Sequence, residues 1–286
     1  MGLGVLLALI AALFSSLKGI ARKHVSRDFS SVEIGYMGQV YGSVLLLPFA
    51  VWRYLEVGMT FNSGVIVAVL VSTLIIIFST YLYIEALRIT DISVTEPLRN
   101  TSPIFVALLE PLILDINFQT LIIGAALLGS AGAYILVAKE SLITPIENLK
   151  NKGALITILV AFLLAVYSIA QRFGATNADP LLFVYISYLT SLIGFWIWKR
   201  KESENNIEVR SYFRKDIFAL GTVTALGVVA GIFAYSMISA SEVTVIKQSS
   251  AVFGVLIGGR FFKEDDLTRK LLGAVIIGLG VLLVTI

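Results

Sequence analysis

GVIVAVLVSTLIIIFSTYLYIEALR, residues 64–88, carries no charge between Gly64 and Ile84. At about 1.5 Å per residue, a helix over that stretch reaches across the roughly 30 Å hydrocarbon core of a bilayer. A helix is the form required there, because lipid offers no partner to an unpaired backbone N–H or C=O. Outward from this stretch, in both directions, the same pattern recurs: long apolar runs separated by short charged connectors. The runs fall at 3–22, 32–52, 64–88, 93–114, 119–138, 153–173, 180–199, 215–238, 242–262 and 270–286. The sequence therefore predicts an all-α integral membrane protein with ten transmembrane helices.

Composition agrees. Of the 286 residues, 57% are hydrophobic and 14% charged, whereas a soluble domain carries roughly 25% charged residues to cover its watered surface. The one sizeable polar connector, Lys199 to Lys215, is too short for a soluble domain, which excludes catalysis in an extramembrane module. Cysteine is absent, so disulfides and thiolate metal sites are ruled out. Met1 to Phe14 lacks the basic flank and small-residue cleavage site of a signal peptide, and reads as the start of a permanent span. The net charge of +3 is modest and its basic residues sit in connectors. No nucleic-acid partner is expected, and the lipid bilayer is.

Those basic connectors set the orientation. Arg22, Lys23 and Arg27 lie on one set, with Lys139, Lys150 and Lys152, the Lys199–Lys215 segment, and Arg260, Lys263, Arg269 and Lys270. The alternate set holds little beyond Arg53 and Arg172. By the positive-inside rule the first set is cytoplasmic, which puts both termini outside. A multi-pass protein of the cell (plasma) membrane is expected.

The two halves align without gaps when shifted by 149 positions. Gly4 then falls on Gly153, Ala12 on Ala161, Ile20-Ala21 on Ile169-Ala170, and Tyr36 on Tyr185. Val94-Thr95 falls on Val243-Thr244, Asp115 on Glu264, Gly124-Ala125 on Gly273-Ala274, and Gly129 on Gly278. Residues 1–140 make the first five-helix repeat, 141–152 a cytoplasmic linker, and 153–286 the second repeat. Because five is odd, the second half enters the membrane from the opposite side. The architecture expected is two inverted-topology five-helix repeats, the arrangement by which many transporters alternate access around a midplane site.

The fourth span contains Glu96-Pro97-Leu98-Arg99-Asn100-Thr101-Ser102-Pro103, then Glu110-Pro111. Each proline removes a backbone donor and disfavours straight helix. The ninth span, its repeat mate, has Lys247-Gln248-Ser249-Ser250 followed by Gly254, Gly258 and Gly259. Broken, polar spans in corresponding places point to a transporter binding site. Ionisable residues inside spans cost about 2.5–3.5 kcal/mol each on insertion scales, so they usually face a cavity or a partner. Lys18, Glu85, Glu96 and Arg99 fall towards the cytoplasmic side and are expected to form an inner polar cluster; Glu110 and Lys247 are expected to form an outer pair. Both groupings suit gates. Lys18, Arg99, Lys247, Gln248, Tyr36 and Tyr185 are the expected substrate contacts, with Glu85, Glu96 and Glu110 as the gating charges. Snorkelling basic side chains and an interfacial tyrosine belt are the plainer alternatives. Gly38 and Gly42 have a spacing that permits close helix contact within the fold or between copies. A monomer or a homodimer fits.

Enzymatic constellations are missing. His24 is the sole histidine and lies in a connector; there is no HExxH and no GxxxxGK[ST] phosphate loop. No enzyme activity, cofactor or metal is expected.

In these features the chain resembles the EamA-type branch of the drug/metabolite transporter superfamily. The likeness rests on the ten-span, two-half plan and on a pattern closing each half. In the second half it is Val245-Ile246-Lys247-Gln248, Phe261-Phe262-Lys263-Glu264, Gly273, Gly278 and Gly280. In the first it is Thr101-Ser102-Pro103-Ile104-Phe105, Leu114-Asp115, Gly124, Gly129 and Gly132, with Asp115 where the pattern usually has Glu. The resemblance implies a secondary carrier, often an exporter of amino acids, other metabolites or drugs. It also implies a central cavity lined by the first, third, fourth, sixth, eighth and ninth spans. The expected function is alternating-access export of a small polar or amphipathic metabolite, such as an amino acid or organic anion, with coupled protons as one driving force. A channel and a lipid flippase or scramblase are the other classes left open.

Overall fold

The computed structural model describes residues 2–25, 28–59, 61–90, 92–117, 119–137, 151–202, 214–262 and 267–285. The expected linker between the halves, most of the Lys199–Lys215 connector, and Lys263-Glu264 lie outside the described residues. Among those described, all regular structure is helical, in twelve helices. They are α1 (Gly2–Val25), α2 (Ser31–Val57), α3 (Ser63–Ile89), α4 (Ile92–Arg99), α5 (Ser102–Leu114) and α6 (Thr120–Val137). Then follow α7 (Lys152–Asn177), α8 (Pro180–Glu202), α9 (Lys215–Met237), α10 (Ala240–Lys247), α11 (Ser249–Phe262) and α12 (Leu267–Thr285).

Six of these, α1, α2, α3, α7, α8 and α9, are long and apolar enough to cross a membrane. Shorter apolar helices occupy α6 and α12. The remaining two apolar runs of the sequence are each split into a half-helix pair, α4/α5 and α10/α11. Polar residues mark several entries. Ser30 opens α2 in a reciprocal capping box with Glu33, and Asn62 and Asn151 cap α3 and α7 through Val65 and Gly153. Each such side chain accepts one of the amide protons that the first helical turn leaves without a partner.

Many large apolar side chains point outward. Leu55 is 78% exposed and Leu112 76%, as suits surfaces that meet lipid tails. Inside, helices approach on small residues, because in lipid the association gains come from close packing more than from hiding apolar area. The tightest approach joins α6 to α12. A Cβ on Gly132 would lie 2.7 Å from the Gly273 carbonyl oxygen, and one on Gly280 would lie 2.9 Å from the Ala125 carbonyl oxygen. Gly42 receives the Tyr188 ring, where a Cβ would stand 2.1 Å from a ring carbon, while nothing comes within 4 Å of a Cβ on Gly38. Of the two glycines read for close contact, one serves packing inside the fold.

The register of these contacts gives direction. Along α6 from Ala125 to Gly132, the partners on α12 run from Gly280 back to Gly273. Along α2 from Gly35 through Gly42 to Arg53, the partners on α8 and its approach run from Phe195 through Tyr188 to Asp179. Two pairs of helices that correspond under the 149-residue shift, α2 with α8 and α6 with α12, therefore pack antiparallel. The wider packing repeats in the same sense: α1 lies on α9 as α7 lies on α3, and α1 meets α11 as α7 meets α5.

Candidate functional site

Pro103 carries no amide proton and stands in the first turn of α5, where a helix tolerates that loss. Ile104 N–H turns back to the Thr101 carbonyl at 3.0 Å, which leaves the Asn100 carbonyl, its partner in a continuous α-helix, without one. Two side chains take that place. Gln248 Nε2 donates to Asn100 O at 3.1 Å, and Ser130 Oγ donates to the same oxygen at 3.1 Å. Gln248 Nε2 also lies 3.1 Å from Ser130 Oγ. Gly129 makes room for this amide, since a Cβ there would stand 1.9 Å from Gln248 Oε1. The break in one half is thus held by the break in the other.

The second break has no proline. Gln248 N–H reaches the Val245 carbonyl at 3.1 Å and Ala251 N–H the Gln248 carbonyl at 3.0 Å. These tight turns bend the chain between α10 and α11. Beside the two breaks lies a cavity of about 210 Å³ whose wall includes Asn100, Ser102, Tyr167, Ser168, Tyr235, Thr244, Lys247, Gln248 and Ser250. Lys247 Nζ stands 6.0 Å from the Tyr235 ring centroid and makes no salt bridge among the described residues. Among the described residues the wall contains no carboxylate. Hydroxyls, an amide and one ammonium can hold a small polar solute bearing negative charge.

Of the expected contacts, Lys247 and Gln248 line the cavity. Arg99 lies at its edge of the first break, paired with Glu96 at 2.9 Å and set over the Tyr83 ring at 5.0 Å, while Tyr83 donates its hydroxyl proton to Glu96. Lys18 is close enough to feel the charges of Arg22, Lys247 and Arg99. The expected inner cluster is corrected at one member: Glu85 pairs with Arg88 at 2.5 Å on the exposed face of α3. At 3.6 residues per turn, Glu85 stands about 200° round the helix from Tyr83, so the tyrosine faces Glu96 and the glutamate faces away.

The expected outer pair of Glu110 with Lys247 is also corrected. Glu110, 1% exposed, accepts from Ala240 N–H at 2.6 Å, from Ser241 N–H at 2.8 Å and from the Ser241 hydroxyl. Those are the first residues of α10, and Lys247 is its last. Tyr36 sits under Lys199 at 5.1 Å, beside the far end of α8, and Tyr185 packs against the main core; neither lines the cavity. Nor do the first and third spans contribute to its wall, to which α6 adds Ala133.

Tyr167, Ser168 and Tyr235 escaped the sequence reading. One signal was present, because Tyr167 occupies the place of Lys18 under the 149-residue shift. Tyr235 carried none. It is buried in the main core, and Arg172 from the neighbouring α7 donates to its carbonyl.

Comparison with known proteins adds to this geometry. The chain is similar over 281 residues, at 24% identity, to a protein of Archaeoglobus fulgidus (strain ATCC 49558 / DSM 4304 / JCM 9628 / NBRC 100126 / VC-16) named as an uncharacterized transporter. That match covers 98% of this chain and 97% of the relative. A protein of solved crystal structure shares the fold with a TM-score of 0.79 at 14% identity, over 99% of this chain and 96% of the other. Residues 2–138 and 151–286 match the EamA-like transporter family. With nearly its whole length so matched, and with its long apolar helices, this chain belongs to the EamA-like transporter family and is a multi-pass membrane transporter.

Proposed function

We propose that the protein moves a small polar solute carrying an anionic group, an organic anion or an amino acid, out of the cell by alternating access. Residues 1–140 and 153–286 act as two five-helix halves of opposite topology in the cell membrane, joined at 141–152, with both termini outside. The antiparallel packing of α2 on α8 and of α6 on α12 supports the inverted plan. So does a pattern of helix contacts that survives exchange of the halves.

One observation carries the substrate reading. The cavity lies where the broken spans of both halves meet, and among the described residues its wall holds Lys247 without a carboxylate. Inside a membrane protein an ammonium lacking a counter-ion is costly, and a substrate carboxylate or phosphate offsets that cost on binding. Hydroxyls from Tyr167, Ser168, Ser102 and Thr244 suit the polar remainder.

The test is a panel of organic acids, amino acids and amines screened by thermal stabilisation of the purified protein. A ligand at about 100 times its Kd adds about 2.7 kcal/mol to the folded state. Acids are expected to stabilise the protein and amines are not; preferential stabilisation by amines would refute the reading. Reconstituted vesicles then separate a carrier, whose solute flux saturates, from a channel with single-channel currents and from a lipid scramblase.

A further inference from the structure

Every amide at the start of α10 has a partner. Ser239, the N-cap, accepts from Glu242 N–H with its hydroxyl at 3.1 Å and from Val243 N–H with its carbonyl at 3.0 Å. Glu242 returns a bond to Ser239 N–H at 2.6 Å. The two remaining amides, Ala240 and Ser241, are satisfied by the two oxygens of Glu110. Glu110 belongs to α5, some 130 residues away in the other half of the chain. A carboxylate at a helix N-terminus also meets the positive end of the helix dipole. The body of α10 lies in the apolar core, with Val243, Val245 and Ile246 fully buried, and its only charged anchor in the first half is Glu110 among the described residues.

The other end of α10 presents Lys247, and the next residue is Gln248. From Ala240 to Lys247 the rise is about 10 Å, and an eight-residue helix transmits a shift at one end to the other. Arg172, whose charge reaches Glu110 and Glu242, donates to the Tyr235 carbonyl, and so ties Tyr235, whose ring centroid lies 6.0 Å from Lys247 Nζ, to the same framework.

We propose that Glu110 is a positioning residue: anchored in the first half, it fixes the depth of α10 and thereby places Lys247 and Gln248 in the cavity formed with the second half. Its functional consequence rests on the transport reading above; the geometry it claims does not.

The absence of cysteine from the sequence allows a direct test with Ser250→Cys, on the cavity wall. The purified protein in detergent is treated with two thiol reagents of similar size, one bearing a sulfonate and one a trimethylammonium group. Their rate ratio, normalised to a free thiol, reads the charge that Lys247 places in the cavity. Lys247→Gln in this background calibrates complete loss of that charge. Glu110→Gln, which supplies one acceptor and an amide that opposes the Ala240 and Ser241 donors, is expected to lower the ratio roughly tenfold, towards the calibrating variant. Ser241→Ala, which removes one of the three donors, is expected to lower it less and serves if Glu110→Gln does not fold. A ratio unchanged in the folded variants, with melting temperature alone reduced, would show a merely stabilising carboxylate and overturn the proposal. If the parent shows no anion preference, the anionic-substrate reading fails first. The absolute labelling rate then decides, and equal rates in parent and variants overturn the positioning role as well.

Discussion

The two broken spans occupy the same place in the repeat but are built by opposite means. In α4/α5 the break is written into the backbone: Pro97 and Pro103 remove donors, and the polar residues nearby balance one another, Glu96 against Arg99 and Tyr83. In α10/α11 no proline intervenes. The first half-helix is held at its start by Ser239, Glu242 and the distant Glu110, and it ends on a lysine that makes no salt bridge among the described residues. The first break is therefore self-contained in charge and covalently enforced. The second is joined at its start to the other half through Glu110, and on the function proposed above the charge of its lysine is balanced by the substrate. A duplicated fold can in this way assign architecture to one copy and recognition to the other.

Four substitutions break or sharpen this contrast. The largest effect is expected from Lys247→Ala: losing a bond to a charged group is worth about 1.5–3 kcal/mol, so binding of a stabilising acid should weaken by roughly 10- to 100-fold, read as a loss of its thermal shift. Arg99→Ala should spare much of that shift, because Arg99 is already engaged by Glu96. Its cost falls on stability, about 1–3 kcal/mol for a part-buried carboxylate left without its cation, and Glu96→Gln/Arg99→Ala should recover part of the melting temperature. If Arg99→Ala instead abolishes acid binding while Lys247→Ala does not, the roles of the two breaks are reversed.

Gly129→Ala tests the joint between them. Its methyl group would collide with Gln248 Oε1 and push the amide off the Asn100 carbonyl, which keeps Ser130 as a partner, with an expected loss of about 0.5–1.5 kcal/mol in unfolding free energy from the lost hydrogen bond. Unchanged stability would mean that Gln248 is not what holds the first break. The smallest effect is expected from Glu85→Ala. Its pair with Arg88 is exposed, and such pairs contribute about 0–1 kcal/mol, so melting temperature and acid binding should both stay near the parent's.

Much of this was readable along the chain. The positions of the breaks followed from Pro97, Pro103 and the Lys247–Ser250 tetrad, and two of the cavity residues, Lys247 and Gln248, were named by their chemistry. The readings that failed share a cause. Placing Glu85 beside Glu96, Glu110 beside Lys247, and Tyr36 and Tyr185 in the cavity each required knowing which face a helix turns inward. In a water-soluble protein the polar stripe of each helix answers that question. Here α3 exposes large apolar residues such as Leu74 and Phe78 and buries small ones, Ala68 and Val69 beside the hydroxyls of Ser72, Thr73 and Ser79, so no charged stripe marks a face.

The sequence by itself determined that this is an all-helical membrane protein with polar, broken spans in matching places, because hydrophobicity and proline act locally and add up along the chain. Only the tertiary structure decided that Glu110 meets the start of α10, that Tyr83 replaces Glu85 beside Glu96, and that Tyr167 and Tyr235 supply the cavity wall. Those outcomes depend on how helices rotate and slide against one another over more than a hundred residues of separation. In lipid that choice is made by the fit of glycines, ring edges and a few hydrogen bonds, none of which leaves a periodic mark on the sequence.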